Sequence, residues 1–321
     1  MGAGIIGNVD KQTEMLLPEL DNPLAVTIAG VRLANPVMTA SGTFGSGMEY
    51  SEFVDLNRLG AVVTKGVADV PWEGNAAPRV AEVYGGMLNA IGLQNPGIDT
   101  FLERDLPFLT QFDTRIIVNV CGHTEEEYLR VVERLQDQPA DLLEINISCP
   151  NVKEGGIAFG LDPRGVEQIT KKIKEKAAQP VIMKLSPNVT DIAEIARAAE
   201  AGGADALSLI NTLTGMKIDV KKKRFVLANR TGGMSGPAIH PVAVRMVWQC
   251  GQAVSIPLIG MGGIRNTEDA LEFMLAGATA VAVGTANFLQ PDITMEIVEG
   301  MQAYVEEEGL GSIQEIIGAV R

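Results

Sequence analysis

Eight short apolar segments, separated by helical patterns, constrain this chain more than any other feature of its sequence. The segments are rich in β-branched residues and apolar nearly throughout, as strands covered on both faces are. They run over 36–40, 61–65, 115–120, 141–147, 181–185, 206–210, 256–260 and 279–284. Eight strands alternating with helices in one chain predict a single (β/α)8 barrel of the α/β class. A doubly wound open sheet is the alternative.

The segments between the strands carry the signals of amphipathic helices. One apolar face begins near Thr124, and its residues are Tyr128, Val131, Val132 and Leu135. Thr124 and Glu127 form a predicted capping box at the start of this helix. Further patterns predict helices over 190–201 and over 266–276, the second with Asn266 as its N-cap.

A short β-hairpin is predicted ahead of the barrel. Residues 24–33 contain two short β-type runs on either side of Ala29-Gly30. Residues 1–23 show no clear periodicity, and we interpret them as an N-terminal extension. No linker or shift in composition follows, so we expect residues 24–321 to form one domain.

Charge and cysteine usage limit the classes of function. The chain has 40 acidic and 26 basic residues, a net charge of −14 that argues against a nucleic-acid surface. Its three cysteines lack a C-x-x-C spacing, which favours a reducing compartment, and are too few for an iron–sulfur cluster held by this chain alone. No membrane span, signal peptide or histidine-based metal site is indicated. We therefore expect a cytoplasmic protein.

Residues that can bind or react cluster at the C-terminal ends of the predicted strands and in the loops that follow them. They are Ala40-Ser41-Gly42, Lys65-Gly66, Asn119, 146–151, Lys184, Asn211, 260–263 and Gly284-Thr285. In a parallel barrel these positions meet at the face where the strands end, which is where such barrels carry their sites. We expect the functional site there.

Cys149 lies in the segment N-I-S-C-P-N after the fourth strand. A single cysteine is often only a small buried residue. Asn146 and Ser148 give this one a polar setting, and a thiol whose surroundings favour the thiolate can act as a base near neutral pH. We predict a reactive thiol here, whereas Cys121 and Cys250 lack polar neighbours in the sequence and are interpreted as packing residues.

Two lysines and two glycine-containing turns at the predicted mouth of the barrel suggest an anionic ligand. Lys65 and Lys184 end apolar strands, and each could bind an anion, form a Schiff base or lie over an electron-rich ring. Gly262-Gly263 and Gly284-Thr285 follow the seventh and eighth strands, where such barrels bind phosphate through backbone N–H groups. Ordinary turn glycines are the alternative. No G-x-G-x-x-G follows a strand, so a Rossmann dinucleotide site is not expected.

Ten motifs occur in one order along most of the chain. They are ASGTFG at Ala40, TKG at Thr64, GGMLNAIGLQNPG at Gly85, NISCPNVK at Asn146, GGIAFG at Gly155, KLSPNVTDI at Lys184, INTLTGM at Ile210, NRTGGMSGPAIHP at Asn229, GMGGI at Gly260 and AVGTANF at Ala282. Together they resemble the dihydroorotate dehydrogenases, and specifically the catalytic subunits of class 1B. Cys149 supports class 1, because class 2 enzymes have serine there.

The resemblance implies an FMN-binding barrel that oxidises (S)-dihydroorotate to orotate in pyrimidine (UMP) biosynthesis. It implies that Cys149 removes the C5 proton while a hydride passes from C6 to flavin N5. The implied substrate residues are Lys65, Asn89, Ala90, Ile91, Gly92, Leu93, Asn146, Asn211 and Thr212. The implied FMN residues are Ser41, Lys65, Gly66, Asn119, Asn146, Lys184, Ile210, Gly236, Gly262, Gly263, Gly284 and Thr285.

The resemblance also implies a partner. Class 1B enzymes work with a second subunit that carries FAD and a [2Fe–2S] cluster and reduce NAD⁺, usually with two copies of each subunit in a heterotetramer. A class 1A enzyme, which uses fumarate without a partner, and a dihydropyrimidine dehydrogenase-like enzyme are the alternatives. NVKEGGIAFG and ANRTGG look more like class 1B. Two further alternatives are a non-catalytic binding barrel and a Schiff-base aldolase.

Overall fold

Eight parallel strands close into a barrel in the computed structural model, which describes residues 22–148 and 160–320. The strands of the described residues are β1 Val26–Ile28, β2 Val31–Leu33, β3 Val37–Thr39, β4 Ala61–Val63, β5 Val80–Val83, β6 Gly86–Asn89, β7 Arg115–Val120, β8 Leu142–Asn146, β9 Val181–Lys184, β10 Ala206–Leu209, β11 Leu213–Met216, β12 Ile218–Asp219, β13 Arg224–Phe225, β14 Thr231–Ser235, β15 Leu258–Met261 and β16 Ala280–Val283. The barrel order is β3-β4-β7-β8-β9-β10-β15-β16, with β16 pairing back to β3. The predicted barrel is confirmed, and the open sheet is wrong.

Helices follow most barrel strands and pack around them. The α-helices of the described residues are α1 Gly97–Thr100, α2 Leu106–Leu109, α3 Glu125–Leu135, α4 Pro163–Lys176, α5 Ile192–Ala201, α6 His240–Gly251, α7 Thr267–Leu275 and α8 Ile293–Glu308. A π-helical turn, Phe101–Asp105, joins α1 to α2. Short 3₁₀ turns lie at Leu56–Arg58, Pro237–Ile239, Thr285–Phe288 and Ile313–Ile316. Within residues 22–148 and 160–320, every helix is too short or too polar to serve as a membrane span.

The predicted helices are present, with small differences at their starts. The Thr124 hydroxyl accepts from the backbone N–H of Glu127 at 3.3 Å, as an N-cap does. The Glu127 carboxylate accepts from the backbone N–H of His123 instead of Thr124, so only half of the predicted capping box forms. Asn266 caps α7 as predicted, whereas α5 starts later than expected because Asp191 provides its N-cap.

The barrel strands are buried and slightly shorter than predicted. Every residue of β8, β9, β10, β15 and β16 is buried, in keeping with apolar strands covered on both faces. The second barrel strand stops at Val63 instead of position 65, because the backbone N–H of Lys65 donates to the Gly45 carbonyl at 2.8 Å. Lys65 therefore lies in the loop at the end of this strand.

The predicted hairpin, β1–β2, covers the end of the barrel where the strands begin. Its turn residues Ala29 and Gly30 have φ of 51° and 82°, as a type I′ turn requires at both central positions. Arg115, the first residue of β7, donates from Nε to the Arg32 carbonyl at 2.8 Å. The opposite end of the barrel is therefore left open to ligands.

A small antiparallel sheet, here called the mouth sheet, stands at that open end. Its four strands have the order β11-β14-β6-β5, and they come from the loops that follow β4 and β10. Residue Asn89 on β6 pairs with Gly233 on β14. The mouth sheet therefore joins two loops from different sides of the barrel into one wall.

Candidate active site

A cavity of about 510 Å³ opens between the ends of the barrel strands and the mouth sheet. Every described residue that the sequence predicted for substrate or cofactor lines it: Ser41, Lys65, Gly66, Asn89, Ala90, Ile91, Gly92, Leu93, Asn119, Asn146, Lys184, Ile210, Asn211, Thr212, Gly236, Gly262, Gly263, Gly284 and Thr285. Cys149 lies outside the described residues, directly after Ser148, which also lines the cavity. The structure thus brings the predicted residues together, while their individual roles stay predictions.

A buried hydrogen-bond network forms the floor of the cavity. Lys184 Nζ lies 3.0 Å from Ser41 Oγ, to which it donates, and 3.3 Å from the Glu144 carboxylate. Asn119 Nδ2 donates to the same Glu144 oxygen, Oε1, at 2.5 Å. Ser208 donates to the other oxygen, Oε2, at 2.8 Å. Four barrel strands and the loop after β3 therefore meet at one ion pair.

One atom of this network is left without a donor. Asn119 is fully buried, and none of the described residues donates a hydrogen bond to its Oδ1. A buried acceptor in that position is ordinarily satisfied by a ligand or an ordered water. A Cβ on Gly66 would stand 3.2 Å from this oxygen, so the glycine leaves space beside it. The floor thus fits a ligand that carries an N–H group.

A second polar cluster surrounds the residues that precede Cys149. The Ser148 hydroxyl donates to Asn146 Oδ1 at 2.6 Å, and the Asn211 amide donates to that hydroxyl. From α3, the Tyr128 hydroxyl donates to the Asn146 backbone carbonyl at 2.7 Å. Asn146 and Ser148 are 4% and 7% exposed, so the chain enters the Cys149 segment from a fixed, buried position.

Lys65 provides a cation at one side of the cavity. Its side chain is half-buried, and burial lowers the pKa of this ammonium group. Interaction with Cys121 raises that pKa, and the positive charge of Arg79 lowers it. A lysine that is poorly solvated binds a carboxylate more strongly than a lysine in water does.

The two remaining cysteines are buried, but their surroundings differ. Burial raises the pKa of the Cys250 thiol to about 12, so this residue is inert packing, as predicted. Cys121 is also fully buried. Its interaction with Lys65 gives it a charged neighbour, so the expectation that it has no polar company is wrong. No local sequence pattern could reveal this contact, since the two residues come from different strand ends.

Closely packed glycines form the part of the cavity that lies next to the carboxyl ends of β15 and β16. Gly263 has φ of 74°, and a Cβ there would lie 2.8 Å from the Gly236 carbonyl oxygen and 2.8 Å from His240 Cβ. His240 supports this turn, because its Nδ1 lies 3.1 Å from the Gly262 carbonyl oxygen and its Nε2 lies 2.8 Å from Glu272. Such a bare backbone turn suits the phosphate group of a ligand.

Three site residues were missed at the sequence level. Asn188 donates to the Thr212 carbonyl at 3.1 Å and lines the cavity, while Glu144 and Ser208 lie behind the floor. Glu144 had a visible signal, since it is the one charged residue inside the apolar strand β8. Among the described residues, His, Cys, Asp and Glu side chains form no group of three or more around a possible metal position.

Comparisons with known proteins agree with this geometry. The sequence model of the dihydroorotate dehydrogenase family matches residues 23–305. The chain is 68% identical over 296 residues to the "Dihydroorotate dehydrogenase B (NAD(+)), catalytic subunit" of Lachnoclostridium phytofermentans, covering 92% of this chain and 99% of that protein. It is 62% identical over 297 residues to the protein of that name from Alkaliphilus metalliredigens and 58% identical over 298 residues to that from Geobacter sulfurreducens, covering 92% of this chain and 98% of each relative. The chain belongs to the dihydroorotate dehydrogenase family.

Proposed function

We propose that this chain is the catalytic subunit of an NAD⁺-dependent dihydroorotate dehydrogenase that oxidises (S)-dihydroorotate to orotate with FMN. The observation that carries the proposal is the single cavity lined by all 19 described residues of the implied substrate and cofactor sets. The high identity to relatives named as catalytic subunits of dihydroorotate dehydrogenase B (NAD(+)) supports it over almost the full length of the chain.

The substrate side of the cavity suits an anionic ring with amide groups. Dihydroorotate carries a carboxylate, and Lys65 offers a partly desolvated cation on a chain whose net charge is −14. The side chains of Asn89, Asn146 and Asn211 offer amide donors and acceptors that a pyrimidine ring can match. A site built from such groups discriminates against rings that lack the partners.

Three features of the proposed flavin side of the cavity fit FMN. Asn119 presents an unsatisfied acceptor, Lys184 presents a cation, and Gly263 belongs to a backbone turn packed too closely against Gly236 and His240 to carry a side chain. When bound, FMN would supply the hydride acceptor of the reaction. We propose that Ser41, Lys184 and Asn119 hold its ring, and that the turns at Gly262-Gly263 and Gly284-Thr285 hold its phosphate.

Cys149 is the proposed base for the C5 proton. The Asn146–Ser148–Asn211 cluster leads directly into it and fixes the residue before it. Polar neighbours favour the thiolate form of a cysteine, and the thiolate is the form that accepts a proton. The cluster thus holds Ser148, the residue before the proposed base, in a defined position.

We further propose that the enzyme is cytoplasmic, that residues 24–321 form one catalytic domain and that residues 1–23 are an extension to it. The relatives' names include "catalytic subunit", which supports a partner chain. We propose that two copies of this chain join two partner subunits that carry FAD and a [2Fe–2S] cluster. With three cysteines, this chain alone cannot supply the four that such a cluster ordinarily takes.

Anaerobic flavin spectroscopy tests the proposal directly. The purified chain is mixed with dihydroorotate, and loss of flavin absorbance is followed before fumarate or NAD⁺ is added. Bleaching without reoxidation by either acceptor is the expected result, because the NAD⁺ reaction needs the partner. Rapid reoxidation by fumarate would make the chain a class 1A enzyme. Bleaching by dihydrouracil but not by dihydroorotate would contradict the substrate assignment.

A further inference from the structure

A buried carboxylate lies behind the cavity floor and has no role in the function proposed above. Glu144 is 1% exposed and stands in the middle of β8, between apolar neighbours. It does not itself line the cavity, although two of its three hydrogen-bond donors, Asn119 and Lys184, do. Whatever Glu144 does for a ligand, it does through these two side chains.

The contact with Asn119 decides which end of that amide faces the cavity. An asparagine amide has a donor end and an acceptor end, and its two orientations are almost equal in shape. The carboxylate can only accept, so it holds Nδ2 at 2.5 Å and leaves Oδ1 on the side of Gly66, a glycine that lines the cavity. The absence of any described donor to Oδ1 agrees with that orientation.

The contact with Lys184 fixes the second polar group of the floor. The lysine side chain is 5% exposed, and its ammonium lies between Glu144 Oε1 and Ser41 Oγ. A buried ammonium without a carboxylate partner would be strongly destabilised. Glu144 therefore keeps a cation in place beside the acceptor of Asn119.

We propose that Glu144 is a positioning residue that sets the polarity of the cavity floor, as an acceptor at Asn119 Oδ1 beside a cation at Lys184 Nζ. Such a floor selects a flat heterocycle whose edge carries an N–H group and an acceptor atom, as the pyrimidine edge of an isoalloxazine ring does. The inference rests on the proposed flavin function and adds to it the reason why the floor accepts one ring orientation.

The decisive variant is E144Q, which keeps the shape of the side chain and removes its charge. The glutamine oxygen can keep accepting from Asn119 and Lys184 while its amide nitrogen donates to the Ser208 hydroxyl, so E144Q removes the charge that holds the Lys184 ammonium without removing the acceptor. We expect the Kd of the apoprotein for FMN, and equally for riboflavin, to rise at least about tenfold, since both share the ring. The flavin midpoint potential should rise as well, because a buried negative charge near the ring is lost.

Asp205 offers a matched control at the other end of the barrel. It also pairs with a lysine, Lys174, and accepts from a backbone N–H, that of Val181, at 2.6 Å. D205N removes one carboxylate charge from a lysine pair, as E144Q does, but far from the cavity lining. We expect its flavin affinities and midpoint potential to equal those of the original protein.

A double-mutant cycle separates positioning from a general structural role. In the K184M background, E144Q should change the Kd for riboflavin far less than it does alone, because the ammonium whose charged partner it removes is gone. An equal effect in both backgrounds would overturn the inference. An effect on FMN alone would also overturn it, because that would locate the defect at the phosphate.

E144D keeps the test decisive if E144Q does not fold. It retains the charge but is one methylene shorter, so an intermediate loss of affinity for both flavins is expected. Unchanged flavin binding in E144Q and E144D would overturn the role of Glu144 and leave the proposed function intact. Failure of the unmodified protein to bind either flavin would instead overturn the proposed function.

Discussion

Lys65 combines a proposed binding role with a cost in stability. Burial lowers the pKa of this group in the folded protein, and Arg79 acts in the same direction. In the pH window between the lowered pKa and the ordinary value near 10.4, the unfolded chain holds more protons than the folded one, so stability rises with pH. Below that window the cost of the buried charge is present in full.

K65M should therefore raise the free energy of unfolding at neutral pH while it weakens substrate binding. We expect the KM for dihydroorotate to rise at least about tenfold, the usual scale for losing a charge-assisted contact. In the unmodified enzyme, substrate affinity should fall as pH rises through the lowered pKa of Lys65, and K65M should lack that dependence. K171M, at an exposed lysine on α4, is the control. A KM unchanged in K65M would contradict the assignment.

C149A tests the proposed base. The variant should still bind FMN, because Cys149 is not among the residues proposed to hold the cofactor. Flavin reduction by dihydroorotate should slow at least about 10²-fold, the usual contribution of a general base. Stopped-flow absorbance measures the rate, and C250A provides a control at a buried thiol on α6. Reduction of C149A at the original rate would rule out this role.

The sequence predicted which residues would gather at the cavity where the barrel collects strand ends, and it did not predict the contacts between side chains that meet across the barrel. Lys184 and Asn119 were predicted because each follows or ends an apolar strand. The Asn211–Ser148 contact joins residues 63 positions apart, and no local pattern reveals such a pair. Glu144 was visible as a charge in an apolar strand, but its role depends on partners from three other strands.

At the scale of the elements, the turn after β15 contains Gly263, a position where both close packing and a left-handed backbone conformation oppose a side chain. G263A would place a Cβ 2.8 Å from the Gly236 carbonyl oxygen, in addition to the strain of its φ of 74°. We expect its Kd for FMN to rise at least about tenfold. Riboflavin, which lacks the phosphate, should bind nearly as before. Titration of the apoprotein with both flavins gives the comparison.

Gly30 gives a matched control for this strain. Its φ is 82°, but a Cβ there would meet nothing within 4 Å. G30A should lose about 1–2 kcal/mol of stability from the left-handed conformation alone and should bind FMN normally. If G263A binds FMN as tightly as G30A does, the turn after β15 does not hold the phosphate.

Elements with local signals were predictable, and the mouth sheet was not. The caps Thr124 and Asn266 and the turn Ala29-Gly30 lie within a few residues of the structure that they specify. The mouth sheet joins Asn89 to Gly233, and the Asn89 amide donates to the Gly233 carbonyl across 144 positions of chain. Its strands are short and rich in glycine, so neither β-propensity nor alternation marked them.

At the scale of the whole molecule, closure of the barrel depends on its last strand. β16 pairs with β15 on one side and with β3 on the other, where Val281 lies opposite Val37. Removal of residues 280–321 would leave two unpaired, apolar strand edges. We expect that truncated chain to be protease-sensitive and to aggregate, whereas removal of residues 319–321 alone should leave the fold intact. Limited proteolysis distinguishes the two, and a protease-resistant truncation at 280 would contradict the prediction.

Barrel closure by β16 also determines when a growing chain can complete the proposed cofactor site. Strand β16, which pairs with β3 at Val37, lies between Gly262-Gly263 and Gly284-Thr285 in the sequence. Both of these turns are therefore synthesised in the last part of the chain. Until then one edge of β3 is unpaired. The nascent chain already contains the residues proposed to bind the ring, but not all of those proposed to bind the phosphate. The proposed flavin site can therefore be completed only late in the synthesis of each chain.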